Sequence, residues 1–360
     1  MTDSPLRYGV IGSGMMGIEH MHNIAHVDGA VVTAIADPHG PSQDAARDAA
    51  PGTELAVFDD YRELLDADLC DAVVIATPNM THINVLRDVL PTDLHVLIEK
   101  PLCTTVADCL EAIELAADRS GIVWVGLEYR YMPPVAQLIS ETHAGAVGSV
   151  QMVSIREHRF PFLQKVDDWN RFSRNTGGTL VEKTCHYFDL MNVITKRRPV
   201  RVMASGGQNV NHLDEFYDGE QSDILDNAYV IVEYDDGVRA LLDLCMYAEA
   251  THNQEQLQVV GDTGKLEALI PENVIRRGRR GEHWMGSVET EPVRDDSIRF
   301  EGYHHGSSYL EHIDFVSAIA DGTAPKVTLE DGLWSVAMGA AAHRSIDEQR
   351  FVDLAEFIPG

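Results

Sequence analysis

The sequence predicts an α/β protein in two parts: a parallel sheet wound with helices, then an α/β half with a mostly antiparallel open sheet. Three observations carry this. The first third alternates short apolar runs with helix-length stretches, the grammar of βαβ units. A glycine-rich loop joins its first strand to its first helix. After about residue 130 the apolar residues switch to period-two alternation, as in half-buried strands. At 360 residues the chain is long for one domain and suits two. The change of grammar sets the expected domains at 1–128 and 129–360.

Residues 8–11 read as the first strand, followed by Gly12-Ser13-Gly14-Met15-Met16-Gly17 and a helix to about Val27. Residues 31–36 form the next strand and end at Asp37. Residues 72–76 and 95–98 are buried strands ending at Thr77-Pro78 and Glu99-Lys100-Pro101, and 122–126 is the last of this set. Helices fill the gaps, one over 106–119. In the second part a helix over 133–143 precedes strands at 150–156, 201–204, 229–234, 240–244 and 256–260. Asp235-Asp236-Gly237 marks a hairpin turn between two of them. Helices are expected over 179–194, 308–320 and 329–345.

Composition narrows the function classes. A hydrophobic fraction of 44% and a charged fraction of 24% exclude disorder and a coiled coil. No stretch reaches the ~20 apolar residues of a membrane helix. Met1-Thr2-Asp3-Ser4-Pro5 carries an acid and no basic run, which is unlike a signal peptide. The five cysteines include no CxxC pair and read as reduced thiols of a cytoplasmic protein. With 57 acids against 28 bases the net charge is −29, which disfavours nucleic acid and anionic membranes as partners. The acids are spread along the chain, as on a solvated surface; adaptation to salt and a GC-rich, arginine-favouring genome both remain open. The basic cluster Arg276-Arg277-Gly278-Arg279-Arg280 is expected to be a solvated turn.

The glycine loop has the context a dinucleotide site requires: a strand before it, a helix after it, and an acid ending the next strand. Gly12 allows the tight turn, Gly14 lets backbone approach a pyrophosphate, and Gly17 lets helix pack on strand. Ser13, Met15 and Met16 complete a helix N-terminus that faces the phosphates. Asp37 would accept hydrogen bonds from the adenosine ribose and repel a 2′-phosphate, which favours NAD over NADP.

Two further motifs carry chemistry. Glu99-Lys100-Pro101 follows a buried strand at its carboxyl end, where open parallel sheets place ligands. A lysine there shares a proton with a substrate hydroxyl when partly desolvated, and Pro101 rigidifies its turn, a cis peptide being one way to do so. In Gly177-Gly178-Thr179-Leu180-Val181-Glu182-Lys183-Thr184-Cys185-His186-Tyr187-Phe188-Asp189, a helix from Thr179 would put Glu182, His186 and Asp189 on one face. A histidine between carboxylates suits a general base near neutral pH. Thr179-x-x-Glu182 also reads as a capping box, which would give Glu182 to the helix start.

Glu-Lys-Pro, the run Gly126-Leu127-Glu128-Tyr129-Arg130-Tyr131-Met132-Pro133, and the Gly-Gly-x-Leu-x-Glu-x-x-x-His-x-x-Asp helix together resemble the Gfo/Idh/MocA oxidoreductases over nearly the whole chain. The resemblance implies an N-terminal Rossmann domain and a C-terminal α/β domain whose open sheet builds a homodimer or homotetramer. It implies that Lys100 is the catalytic lysine and His186 the acid/base, with Glu182 beside it. It places Thr77-Pro78-Asn79-x-x-His82 and Glu99-Lys100 along the nicotinamide. Glu182 stands where the family usually has Asp and Thr184 where it usually has Gly, and Lys183 adds a cation that binds substrate or faces solvent. The implied activity is NAD-dependent hydride transfer from a secondary hydroxyl of an inositol or pyranose. Glu128, Arg130, Trp169, Arg171, Lys183, Tyr303 and His305 are expected around the substrate, with Arg130 also a structural donor. His304-His305 lacks accompanying carboxylate spacing, so no metal is expected. The alternatives are a sugar–sugar oxidoreductase that retains its cofactor and a non-catalytic sensor.

Overall fold

The computed structural model describes residues 4–281 and 287–358; Met1-Thr2-Asp3, the start of the segment read as unlike a signal peptide, lies outside them. The chain divides into two compact units, Met1–Tyr131 with Ser297–Leu333, and Met132–Asp296 with Trp334–Gly360.

The first unit alternates β1 (Leu6–Ile11), α1 (Met15–Ala25), β2 (Ala30–Ala36), α2 (Gly40–Ala49), β3 (Ala56–Phe58), α3 (Tyr61–Asp66), β4 (Ala72–Ile75), α4 (His82–Val89), β5 (His95–Glu99), α5 (Val106–Ala116) and β6 (Val123–Gly126). The strands form one parallel sheet in the order β3-β2-β1-β4-β5-β6. Its central strands are buried on both faces, which is why they read as continuous apolar runs. The order reverses between β1 and β4, which opens a crevice beyond their carboxyl ends.

The second unit begins with α6 (Pro133–His143) and β7 (Val150–His158), followed by α7 (Ser173–Thr176), α8 (Thr179–Glu182) and α9 (Cys185–Thr195). Strands β8 (Pro199–Gly207), β9 (Phe216–Tyr217), β10 (Glu220–Gln221), β11 (Asn227–Tyr234), β12 (Arg239–Cys245), β13 (Glu255–Gly261), β14 (Gly264–Ile270), β15 (Val274–Arg279) and β16 (Val288–Pro292) come next. Then α10 (Ser307–Asp321), α11 (Leu329–Glu348) and β17 (Val352–Asp353) end the chain. A nine-stranded sheet runs β16-β15-β14-β13-β7-β12-β11-β8-β17, antiparallel except between β7 and β12. The Asp235-Asp236-Gly237 turn joins β11 to β12, with Gly237 at φ +87. One face is buried by alternate residues such as Ala228, Val230 and Val232; the other exposes Met152, Tyr229 and Ile231.

Two expectations change. The contacts do not follow a single break at 128/129, because α10 returns to the first unit. There Phe315 meets Trp124 edge-on with ring centroids 6.0 Å apart, and Trp124 Nε1 donates to Glu311 Oε1 at 3.1 Å. The Arg276–Arg280 cluster is largely strand rather than turn. Arg277, on β15, donates to both oxygens of Glu141 on α6 and to Glu291 on β16, so sheet pairing and two acids organise it.

Candidate active site

In the first unit the glycine loop is built around backbone contacts. Gly12 takes φ +88, and a Cβ there would lie 2.8 Å from backbone atoms of Ala76 and Thr77. The loops after β1 and β4 therefore touch across the switch point. A Cβ on Gly17 would collide with the Gly12 carbonyl, whereas a Cβ on Gly14 would meet nothing within 4 Å beyond its chain neighbours. The first turn of α1, with Met15 and Met16, carries no acid, and its N-terminal amides favour an anion. This is a cradle that fits a pyrophosphate.

Asp37 ends β2 and clamps that loop. Its Oδ2 accepts from the Ser13 N–H at 2.7 Å and the Ser13 hydroxyl at 3.3 Å, and its Oδ1 accepts from the His39 N–H at 2.8 Å. A carboxylate offers about four acceptor sites, so one remains for a ribose hydroxyl. Beyond β4, Thr77, Pro78 and Asn79 line the next loop, where Asn79 Nδ2 is buried without a hydrogen-bond partner, a vacancy a bound polar group would satisfy. His82 opens α4 beside this loop. Its fully buried ring spans the Thr77 carbonyl at 3.0 Å and the Pro101 carbonyl at 2.9 Å, stapling two loops together. Burial holds its pKa below the usual histidine value.

Lys100 follows β5, and its peptide bond to Pro101 is cis. Glu99 is buried: Oε2 accepts from the Lys100 N–H at 3.0 Å, and Oε1 lies 2.9 Å from His20 Nε2. Glu128 is also buried, 3.5 Å from His304 Nδ1. Arg130 donates to the Lys326 carbonyl and pairs with Asp331 at 3.1 Å, the structural role expected of it. Tyr303 is 64% exposed, and His305 takes a left-handed φ of 54°.

In the second unit the motif helix is two helices. Gly178, at φ +87, is the N-cap of α8, and a Cβ there would run into the His343 ring of α11. His343 Nε2 accepts the Leu180 N–H at 3.0 Å and so caps α8. Burial lowers its pKa to about 4, which keeps that nitrogen an acceptor. The expected capping box is absent, because Gly178 is the N-cap and Thr179 lies inside the helix, its hydroxyl donating to the Leu225 carbonyl.

The helix then breaks at Lys183-Thr184. His186 and Asp189 share α9, both 1% exposed, while Glu182 lies before the break. Lys183 is neither solvated nor at the surface: its Nζ pairs with Glu157 Oε1 at 3.0 Å and its side chain is 7% exposed. Trp169 is half-buried in the turn Val166–Arg171. Arg171 donates through Nε to Glu215 at 2.9 Å, which ties it to the fold. Lys100 thus belongs to the first unit and His186 to the second. The sequence missed His20, His312, His343, Glu157 and Glu255, whose partners lie far along the chain.

Two domain descriptions cover the chain: an oxidoreductase family's NAD-binding Rossmann fold matches residues 6–127, and its C-terminal alpha/beta domain matches residues 141–354. The chain is 28% identical to a myo-inositol 2-dehydrogenase of Thermotoga maritima, over 98% of this chain and 100% of that one. It is 26% identical to an inositol 2-dehydrogenase of Rhizobium meliloti, over 97% and 99%. A solved levoglucosan dehydrogenase in complex with NADH shares the fold, with TM-score 0.84 at 20% identity over 98% of this chain and 99% of that one. With both domains of the family matched along its length, and the glycine loop and Asp37 in place, this chain belongs to the Gfo/Idh/MocA oxidoreductases and is an NAD-dependent dehydrogenase.

Proposed function

We propose that this dehydrogenase oxidises a secondary hydroxyl of a cyclic polyol or sugar, of the inositol or pyranose type. The observation that carries the substrate class is the full-length likeness to inositol 2-dehydrogenases. Gly12 to Gly17, Asp37, Thr77, Pro78 and Asn79 would hold the cofactor, which supplies the hydride acceptor. His186 takes the hydroxyl proton, Lys100 hydrogen-bonds the same oxygen, and Glu182 orients the pair. Trp169, Tyr303 and His305 remain substrate contacts; the partners of Arg130, Arg171 and Lys183 favour framework roles instead.

Met152, Tyr229 and Ile231 on the uncovered sheet face support pairing of copies through that face. None of the five cysteines is in a disulfide, which supports a cytoplasmic location. A panel of inositols, aldoses, glycosides and sugar acids with NAD tests the substrate class. Turnover confined to simple 2-hydroxy acids or linear alcohols overturns it.

A further inference from the structure

We propose that His20 and His312 are positioning residues for Lys100, acting through Glu99 as a buried hydrogen-bond chain with one direction. The inference rests on the reading of Lys100 given above. Three elements of the first unit supply the chain: α1 gives His20, the end of β5 gives Glu99, and α10 gives His312. His20 Nε2 lies 2.9 Å from Glu99 Oε1, and His20 Nδ1 lies 2.9 Å from His312 Nε2. The residues are 2%, 6% and 0% exposed.

The protons can be ordered from this geometry. A carboxylate only accepts, so His20 Nε2 carries a hydrogen. His312 is held neutral by burial and has one proton to place. Its Nδ1 has no hydrogen-bond partner, and a buried N–H left there would cost about 1–3 kcal/mol. The proton therefore sits on Nε2 and points at His20 Nδ1. His312 donates to His20, His20 donates to Glu99, and the Lys100 N–H donates to the other Glu99 oxygen at 3.0 Å. Two donors, His20 Nε2–H and the Lys100 N–H, end on one carboxylate, and His312 orients the first of them.

Burial alone would raise the Glu99 pKa, but the His20 hydrogen bond and the charges of Lys100 and His304 lower it below the usual carboxylate range. Among the described residues, the other titratable groups facing this cluster are Tyr8 from β1, whose ring meets His312 edge-on with centroids 5.8 Å apart, His82 from α4, and Glu311 and Glu128. Glu311 is kept protonated by burial and by the Glu128 charge, and accepts from Trp124 Nε1. Arg130 acts on Glu311 in the opposite sense. The result is an ionised carboxylate that fixes the Lys100 backbone and favours the ammonium form of its side chain. Without the His20 donor, Glu99 takes up a proton at higher pH and both effects weaken.

The test compares pH profiles of kcat/KM for NAD-dependent oxidation in wild type, His20→Leu, His20→Gln and Lys100→Ala, with urea unfolding alongside. The glutamine amide keeps a donor for Glu99. His20→Leu should lower kcat on the order of 10–100-fold, the scale of losing a group that orients an active one, and move the acid limb to higher pH. The KM for NAD should change little, and His20→Gln should recover most of the loss. Equal losses in both His20 variants with unmoved limbs would overturn the inference. If Lys100→Ala keeps its turnover, the reading of Lys100 fails instead. The chain is then judged without turnover by 15N NMR of the histidine rings. A His20 hydrogen on Nε2 alone, changed by Glu99→Gln, supports it, and a hydrogen on Nδ1 overturns it.

Discussion

Lys183 Nζ lies 3.0 Å from Glu157 Oε1 beneath the break between α8 and α9, and Glu157 stands directly opposite Glu255 across β7 and β13. Two carboxylates facing each other in a sheet repel, and here both are buried. Lys183 supplies the compensating charge, helped by Arg159 at 3.4 Å from Glu157. The cation expected either to bind substrate or to face solvent is held to the sheet at the helix break.

Lys183→Met should therefore destabilise the fold by about 3–5 kcal/mol, the usual cost of stranding a buried charge. Lys183→Met combined with Glu157→Leu should recover much of that, since Glu157 is then not left as a buried charge without its lysine. Urea unfolding of the two variants checks this. A double variant as unstable as the single one would show that packing, not charge, sets the cost.

Glu255 gives the same cluster a pH signature. Burial first, and the Glu157 charge second, raise its pKa from 4.5 to about 7. The folded state then binds a proton that the unfolded state releases above pH 4.5. The associated stability is present below that value and is lost as pH rises through about 7. Glu255→Gln should flatten the decline of stability between those limits. Denaturation midpoints across the range measure it, and an unchanged slope would remove Glu255 from the account.

His343 works in the opposite direction. Its pKa of about 4 lies below the ordinary 6.5, so the folded state binds fewer protons in that window. The stability is present above 6.5 and is lost as pH falls through about 4. His343→Leu strands the Leu180 N–H and should cost about 1–3 kcal/mol at neutral pH. It should also remove part of the acid sensitivity, which melting curves at several pH values would reveal.

Local pattern made the parallel sheet legible because buried strands and a glycine turn are written in neighbouring residues. Gly12, Gly17 and Asp37 fell where the spacing put them. What was not legible depends on partners far along the chain. Gly178 reads as a helix start, but nothing near it names His343, 165 residues on, as the group that caps α8. His20 and His312 meet 292 positions apart. The arginines of β15 resembled a turn because their acids lie on α6 and β16.

Asp37 links loop geometry to cofactor choice. Because its carboxylate clamps Ser13 and His39, Asp37→Ala should loosen the glycine loop as well as remove the charge that opposes a 2′-phosphate. NAD should bind about tenfold more weakly, near 1.4 kcal/mol, while NADP loses less. Calorimetric titration of both cofactors decides it. Equal losses would mean that Asp37 serves the loop alone.

The proposed acid/base pair is tested most directly by removing each member. Replacing a positioned acid/base costs on the order of 10²–10⁴ in rate, so His186→Ala and Lys100→Ala should each lower turnover by that much. NAD binding should survive in His186→Ala, because His186 lies in the second unit and the glycine loop in the first. The two groups are assigned to one proton transfer, so the double variant should lose less than the product of the single losses. Glu182→Gln should be milder, since that carboxylate is assigned only to orienting His186. Steady-state kinetics on a substrate found in the panel gives all four numbers. If His186→Ala keeps near-normal turnover, α9 is structural. The base must then be sought elsewhere, and His305 becomes the first residue to test, because Lys183 is already paired with Glu157.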